Sequence, residues 1–246
     1  MDSATQRLLQ AQQRPTRSVV MHQKWDELFF FHWQCDPAEV QKILPPGLTV
    51  DLFAGQAHIG IVGFQMNAVR PHGCPAVPWL SYFNELNVRV YVRDASGEPG
   101  VWFLSLDCDR APAVYIARTF FGVPYEHAEM SHHHTKTKLH LSARRRGQHT
   151  AADYTWSPTT PPQPTTPGTL EFHLVERYNF FAVKNGKLVR GQVHHAPYEV
   201  SLAQVEQWSE LPIAWDQFPT TGRAPDLAHC SKGVSIEAFA LIPAHA

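Results

Sequence analysis

Residues 85–93 read ELNVRVYVR, with leucine or valine at every even-numbered position. The odd-numbered positions are polar or aromatic and include Glu85, Asn87 and Arg89. Because successive side chains of a β-strand point to opposite faces, this pattern predicts a strand with one apolar and one polar face. If the valines fill the space between a closed sheet and helices outside it, the polar face looks into the interior of that sheet.

Further strands are predicted on both sides of this segment. The turn sequence SGEPG at 96–100 leads into a second apolar run at 101–108, which completes a hairpin. The aromatic run LFFFHW at 28–33 predicts a buried strand. Other strands are predicted at residues 57–66 and 234–242, and a hairpin at 180–193 is closed by the turn sequence Asn185-Gly186.

Short helices are predicted at residues 5–13, 36–44, 112–121, 170–178 and 201–210. The second begins with Asp36 as its N-cap, followed by proline, and the third ends at Gly122. The last is amphipathic, with Leu202, Val205 and Trp208 toward the core. The sum predicts a mainly antiparallel β fold with a few short α-helices and one closed or nearly closed sheet.

The composition excludes several classes of protein. The chain has 246 residues, with 21 Lys and Arg against 22 Asp and Glu and a formal net charge of −1. Nucleic-acid-binding proteins are usually strongly basic, so no nucleic-acid partner is expected. No run of 18 apolar residues occurs, so no membrane span is expected. The signatures G-x-x-x-x-G-K-[ST], G-x-G-x-x-G, H-E-x-x-H and G-x-S-x-G are also absent, which argues against the nucleotide-binding, zincin and α/β-hydrolase classes.

One domain of residues 21–246 is predicted, after a polar leader of residues 1–20 that we expect to be flexible. Residues 157–168, SPTTPPQPTTPG, predict a solvated loop. The four cysteines lack the spacing of metal or redox motifs, and the first eighteen residues lack the apolar segment of a secretory signal. Reduced thiols and a cytoplasmic location are therefore expected.

Several segments together are similar to one family. They are WDELFFFHW (25–33), LPPGLTVD (44–51), FNELNVRVYV (83–92), ARTFFGVPY (117–125), PGTLEFHLVERY (167–178), HHAPY (194–198) and SKGVSIE (231–237). In these segments the chain resembles the YqjF-like family of uncharacterised proteins, within the acetoacetate-decarboxylase-like superfamily. The resemblance implies a β-barrel or cone whose mouth holds a pocket for a small molecule, and by analogy a homodimer.

The same resemblance argues against one reaction. Acetoacetate decarboxylases carry their Schiff-base lysine in a segment G-R-E-x-x-G-[FY]-P-K-K. The similar segment here, ARTFFGVPYE at 117–126, keeps Arg118, Gly122 and Pro124 but has Tyr125 and Glu126 in place of the two lysines. Tyrosine cannot form an imine with a ketone, so the chain is not expected to be an acetoacetate decarboxylase.

The predicted pocket for a small organic acid is lined by Glu85, Asn87, Arg89, Arg118 and Tyr125. Glu85 and Tyr125 are the candidate catalytic residues, as a general acid or base and as a donor to a developing oxyanion. Asn87, Arg89 and Arg118 are the candidate substrate-binding residues, because an arginine binds a carboxylate bidentately. The alternative is that Glu85 only forms buried ion pairs with the two arginines and fixes the strand register. Whether the protein is an enzyme stays open.

Two further alternatives come from other segments. His132 and His134 share the face of a predicted strand, and H-x-H spacing places two imidazoles on one zinc ion, with a third ligand from His140 or from the histidines at 194 and 195. The basic row at 136–146 continues this face and more simply protects a sheet edge. No cofactor is expected. A non-catalytic interaction protein, with the Pro/Thr-rich loop or the basic strand as its contact surface, is the third hypothesis.

Overall fold

A computed structural model describes residues 3–245; residues 1, 2 and 246 of the predicted leader and domain lie outside the described residues. The helices are α1 (Ser3–Gln12), α2 (Pro37–Ile43), α3 (Ala111–Phe121), α4 (Leu170–Val175) and α5 (Leu211–Trp215). The strands are β1 (Val19–Cys35), β2 (Leu48–Val50), β3 (Ala57–Pro71), β4 (Phe83–Asp94), β5 (Pro99–Cys108), β6 (Tyr125–His134), β7 (Leu139–Arg145), β8 (Ala152–Pro158), β9 (Gln163–Pro164), β10 (Asn179–Lys184), β11 (Lys187–His194), β12 (Glu199–Gln207), β13 (Leu227–Phe239) and β14 (Ile242–Pro243). The predicted fold class, mainly β with a few short helices, is confirmed.

The strands form one 14-stranded sheet that closes on itself twice. The first closure follows the order β5-β6-β7-β8-β12-β13-β1-β3-β4, and β4 pairs back to β5. In the second closure, β10 and β11 connect β5 to β13 by another route. Strands β13, β1, β3, β4 and β5 therefore belong to both closures. The β5–β10 and β5–β6 pairs are parallel, so the sheet is mixed.

Strand β4 and the second half of β1, both shared by the two closures, are buried on both faces. In β1, Phe29, Phe31 and Trp33 enter one hydrophobic core, whereas Leu28 and Phe30 enter a second. In β4, the even-numbered leucine and valines join the first core. The strand predicted from the alternation is thus confirmed. Its valines, however, share their core chiefly with other strands, whereas the sequence predicted helices on that side.

Local sequence signals set the ends of several elements. The Asp36 carboxylate accepts the backbone N–H of Ala38 at 2.8 Å and caps α2. Helix α3 ends at Gly122, whose φ of 68° lies in the left-handed region. Asn185 and Gly186 also have positive φ, 52° and 72°, as the two-residue turn of a twisted hairpin requires. These three predictions are confirmed.

The helix predicted at residues 201–210 is wrong, because this segment belongs to strand β12. Leu202 is 52% exposed instead of facing the core. The backbone of β12 pairs with β8, β9 and β13. A helical period in a short segment is a weak signal, and here the hydrogen bonds of three neighbouring strands outweigh it.

The predicted basic face is also wrong, because the row is broken by a turn. Strand β6 ends at His134, and the chain turns back through Thr135, whose backbone N–H donates to the Lys138 carbonyl at 2.8 Å. Strand β7 then pairs antiparallel with β6. Residues 129–134 and 139–145 thus lie on two strands of a hairpin.

Helix α1 lies where a short helix was predicted, and it packs on the domain. Leu8 and Ala11 are buried, and Gln12 Nε2 donates to Glu176 Oε2 at 3.2 Å. The expected flexibility of residues 1–20 concerns motion and stays a prediction.

The described helices are short. None among residues 3–245 combines the length and the apolar character that crossing a membrane requires. The Pro/Thr-rich segment 157–168 is mostly exposed, and part of it forms β9, which pairs with β12.

The shared strands pack tightly around Gly63 of β3, and a substitution at this residue tests that packing. A Cβ added there would lie 2.4 Å from Phe29 Cε1 and 3.2 Å from Leu86 Cδ1, and Phe29 is fully buried. We expect Gly63→Ala to lower the free energy of unfolding by about 1–3 kcal/mol, because overpacking a close-packed core forces shifts. Urea unfolding measures this change. Leu202→Ala, on the exposed part of β12, is the control and should stay within about 0.5 kcal/mol of wild type; equal values for the two variants would contradict the packing.

Candidate functional site

A cavity of about 270 Å³, called here the β4 cavity, lies between the shared strands, β10, β11 and α3. Most of its wall is apolar, and the lining residues include Phe30, Val62, Phe64, Phe103, Leu106 and Phe180. Helix α3 closes one side with Ala113, Ile116, Ala117 and Phe121. The volume suits a small molecule rather than a chain segment.

Polar side chains enter the β4 cavity in a row along one strand. Glu85, Asn87 and Arg89 are alternate residues of β4, so all three point to its cavity face. They are only 3%, 3% and 8% exposed, respectively. Polar groups buried this far need partners within the protein or on a bound molecule. The structure also brings Tyr125, the first residue of β6, to the same cavity, as the sequence predicted.

Glu85 and Tyr125 form a buried pair. The Tyr125 hydroxyl donates to Glu85 Oε2 at 2.5 Å. Burial raises the pKa of Glu85 to about 7, although its hydrogen bonds to Tyr125 and Asn87 oppose the rise. Burial and the neighbouring Glu85 raise the pKa of Tyr125 well above its ordinary value. Glu85 is therefore the group of the pair that gains or loses a proton near neutral pH.

Arg89 is a buried cation without a carboxylate partner among residues 3–245. Its Nη2 donates to the Leu174 carbonyl at 3.1 Å, and its Nε lies 3.3 Å from the Tyr91 hydroxyl. The guanidinium carbon also lies 5.8 Å from the Phe30 ring centre and 5.6 Å from that of Tyr91. These contacts satisfy part of its hydrogen-bonding capacity, and none of them supplies an opposite charge.

Arg177 and Asn179 also line the β4 cavity, and the sequence analysis missed both. Arg177 Nη1 donates to Asp51 Oδ2 at 2.7 Å and its Nε donates to the His173 carbonyl at 2.5 Å. Arg177 Nη2 and Asn179 Oδ1 are buried and have no hydrogen-bond partner among the described residues. The run ERYN at 176–179 was visible in the sequence, but nothing in its pattern gave the direction of its side chains.

Arg118 does not line the β4 cavity, so the position predicted for it as a substrate-binding residue is corrected. Its Nε donates to the Tyr125 carbonyl and its Nη2 to Glu126 Oε1, each at 2.5 Å. Half of its side chain is exposed. These bonds tie the last turn of α3 to the start of β6, so Arg118 positions the Tyr125 backbone.

Among residues 3–245, Glu85 forms no ion pair with Arg89 or Arg118, so the buried ion pairs that the sequence offered as an alternative are not present. The buried ion pairs that fix the sheet lie elsewhere. Arg145 Nε donates to Asp107 Oδ1 at 2.7 Å, and its Nη1 donates to Asp216 Oδ1 at 2.6 Å. Burial raises the pKa of Asp107 to about 6, against the effect of this arginine. That network joins β5, β7 and the end of α5.

His132 and His134 both approach one carboxylate. Their Nδ1 atoms lie 3.3 and 2.9 Å from the Glu27 carboxylate oxygens. Burial lowers the pKa of His132 to about 4. His140 and the histidines at 194 and 195 do not complete a site, since no three His, Cys, Asp or Glu side chains in the described part of the chain are grouped to hold a metal ion. The geometry does not favour the metal hypothesis.

Solved structures of low sequence identity share this fold. Acetoacetate decarboxylase from Legionella pneumophila matches 94% of this chain and 90% of its own at 16% identity and a TM-score of 0.63. The enduracididine biosynthesis enzyme MppR, complexed with pyruvate, matches 95% and 91% at 12% identity and a TM-score of 0.58. An acetoacetate-decarboxylase-like enzyme from Sphingomonas wittichii RW1 matches 92% and 94% at 14% identity and a TM-score of 0.59. This likeness confirms the predicted acetoacetate-decarboxylase-like fold.

Sequence similarity identifies the family. The uncharacterized protein YqjF of Bacillus subtilis (strain 168) is 32% identical over 188 residues, which are 76% of this chain and 77% of that protein. The model of DUF2071, a family of uncharacterized conserved proteins, matches residues 22–235. This span contains the polar row of β4 and most of the cavity wall. The chain therefore belongs to the DUF2071 family, as its resemblance to YqjF-like proteins predicted.

Proposed function

We propose that the β4 cavity binds a small organic acid and that Arg89 holds its carboxylate. The observation that carries this proposal is a buried guanidinium on the cavity wall without a carboxylate partner among residues 3–245. A buried charge costs several kcal/mol unless an opposite charge and hydrogen bonds compensate it. A bound carboxylate supplies both, through two parallel N–H···O bonds.

The other buried arginines support this interpretation by contrast. Arg145 pairs with Asp107 and Asp216, and Arg177 pairs with Asp51. His32 adds no charge near Arg89, because burial and the charge of Arg89 lower the pKa of His32 well below its ordinary value. Arg89 is thus the buried cation of this region whose counter-charge is left for a ligand.

The proposed ligand is bound without a Schiff base. The residues that line the β4 cavity within the described chain include no lysine, and the segment that resembles the decarboxylase motif has Tyr125 and Glu126 where the lysines stand. One protein with this fold, MppR, is described as complexed with pyruvate, itself a small carboxylate. We propose only that this protein also binds a carboxylate, and not that it carries out the chemistry of that enzyme. The four cysteines are free thiols, which fits the proposed cytoplasmic location.

A second candidate function is acid–base catalysis on the bound acid. The 2.5 Å hydrogen bond between Tyr125 and Glu85 and the pKa of about 7 for Glu85 favour it. A carboxyl group with such a pKa can take or give a proton at neutral pH. In this proposal Glu85 exchanges a proton with the ligand, and Tyr125 donates to the oxygen on which negative charge develops.

Arg89→Met tests the binding proposal. Wild-type protein should melt at higher temperature with a binding acid, because a ligand at 100 times its Kd adds about 2.7 kcal/mol to stability. In Arg89→Met we expect this thermal shift to disappear, because the ligand carboxylate would enter an apolar cavity without a counter-charge. The ligand-free variant should be at least as stable as wild type, since a buried unpaired charge has been replaced by an apolar side chain.

Arg144→Met on β7 is the matched control, since Arg144 pairs with Glu129 at the surface. It should keep the whole ligand shift. An equal shift in wild type and Arg89→Met would contradict the proposal. A shift that is lost in Arg118→Ala but kept in Arg89→Met would return the binding role to Arg118.

Glu85→Gln tests the pH dependence. The pKa of Glu85 is raised from 4.5 to about 7 in the folded protein, so the folded state binds more protons than the unfolded chain between these values. This contribution to stability is present below pH 4.5 and is lost as the pH rises through 7. Glutamine stays neutral, so between pH 4.5 and 8 the unfolding free energy of Glu85→Gln should gain about 3 kcal/mol relative to wild type.

Urea unfolding at the two pH values measures this relative gain. Glu199→Gln, which changes an exposed glutamate of β12, is the control for the charge change itself. A pH-independent difference between Glu85→Gln and wild type would mean that folding does not raise the pKa of Glu85, and the acid–base proposal would be abandoned.

A further inference from the structure

We propose that the ligand of the β4 cavity is an elongated monocarboxylic acid with an apolar body, which lies along β4 with its carboxylate at Arg89 and its far end at Glu85 and Tyr125. This inference rests on the proposed function, and it adds the orientation and chemical class of the ligand. Three features support it: a cationic end of the cavity, apolar walls beside the polar row, and the distance between Arg89 and Glu85 along β4.

The cationic end contains two neighbouring guanidinium groups. Arg89 and Arg177 both lie against the Tyr91 ring, with guanidinium carbons 5.6 and 5.0 Å from its centre. They donate to the consecutive carbonyls of Leu174 and His173, where α4 ends. This arrangement holds two positive charges around the Tyr91 ring, and both arginines line the cavity.

The charged groups around this end of the cavity have an excess of positive charge, which one more carboxylate would reduce. Asp51 is the acidic group there, and it already accepts from Arg177 and from Arg93 on β4. The histidines add no positive charge, because burial lowers the pKa of His173 to about 3 and that of His32 well below its ordinary value. Two arginines thus share one aspartate, and Arg89 has no carboxylate partner among residues 3–245, so a ligand carboxylate would reduce the excess of positive charge.

The middle of the cavity rejects charge. Beside the polar row, the neighbouring strands present apolar side chains to the cavity, and Val62 of β3 and Leu106 of β5 pair directly with Asn87. A second ionised group placed there would lose its water without gaining a partner. An apolar body instead gains roughly 25 cal/mol for each Å² that it removes from water.

The two polar ends set the length of the ligand. Arg89 and Glu85 are four residues apart on one strand, so their Cα atoms are separated by about 13 Å. A cavity of about 270 Å³ is several times larger than the roughly 30 Å³ that one water molecule occupies in the liquid. A ligand that reaches both polar ends therefore covers more of the apolar wall than acetate does.

The far end accepts a polar group better than a second carboxylate. Tyr125 already donates its proton to Glu85. Asn87, midway between Glu85 and Arg89 on β4, has a buried Oδ1 without a hydrogen-bond partner among residues 3–245, so it is free to accept from a ligand hydroxyl. A second carboxylate would meet the like charge of Glu85 once that group is ionised.

Calorimetric titration of wild-type protein with matched acids tests the inference. The probes are acetate, pyruvate, hexanoate, octanoate and phenylacetate, with adipate as the dicarboxylate of hexanoate's length and octanol as octanoate without its charge. We expect hexanoate, octanoate or phenylacetate to bind at least tenfold more tightly than acetate, pyruvate, adipate and octanol. Arg89→Met should weaken the best acid at least tenfold, and Arg144→Met should leave it unchanged.

The outcomes separate this inference from the function on which it rests. If acetate, pyruvate or adipate binds as tightly as the longer monocarboxylates, the inferred ligand class is wrong and the proposed acid-binding function stands. If octanol binds as tightly as octanoate, or Arg89→Met keeps full affinity for octanoate, both the inferred orientation and the proposed binding of the carboxylate by Arg89 are wrong. If no acid binds, both proposals are overturned.

Discussion

A strand that is buried on both faces has no side on which a charged residue can keep its water, and β4 is such a strand because two closures of the sheet share it. Its even positions are apolar and fill one core. Its odd positions include Glu85, Asn87 and Arg89, which cost free energy unless other elements supply partners. Those partners come from distant parts of the chain, since Tyr125 reaches Glu85 and the end of α4 reaches Arg89. The cavity is the space that remains between them.

Buried charge occurs in this protein in two forms, and the difference between them separates architecture from function. Asp107, Arg145 and Asp216 satisfy one another and link three elements, as expected of a network that fixes structure. Arg89 is equally deep, but its partners within the described part of the chain are only a carbonyl, a hydroxyl and two aromatic faces. A group whose charge is left uncompensated beside a cavity is a better indicator of a binding site than any buried ion pair.

The sequence predicted the strands and turns whose signals are local, and it predicted which β4 residues share the cavity, because alternation alone fixes their direction. It failed where distant partners decide the outcome. β12 has a helical period but pairs with three strands. Arg118 matches a family motif, yet the last turn of α3 directs it toward the backbone of Tyr125. Arg177 follows a short helix, where no period gives its direction. Resemblance named the fold, and only coordinates placed these side chains.

The shared strands also bear on how the chain is made. β13 is the last of the five shared strands along the chain, and both closures need it, because it pairs with β1 on one edge and with β11 and β12 on the other. A nascent chain that has not yet released residues 227–239 from the ribosome therefore has neither ring complete. During that interval β1 presents a long unpaired aromatic edge, which is a template for misassembly with neighbouring chains.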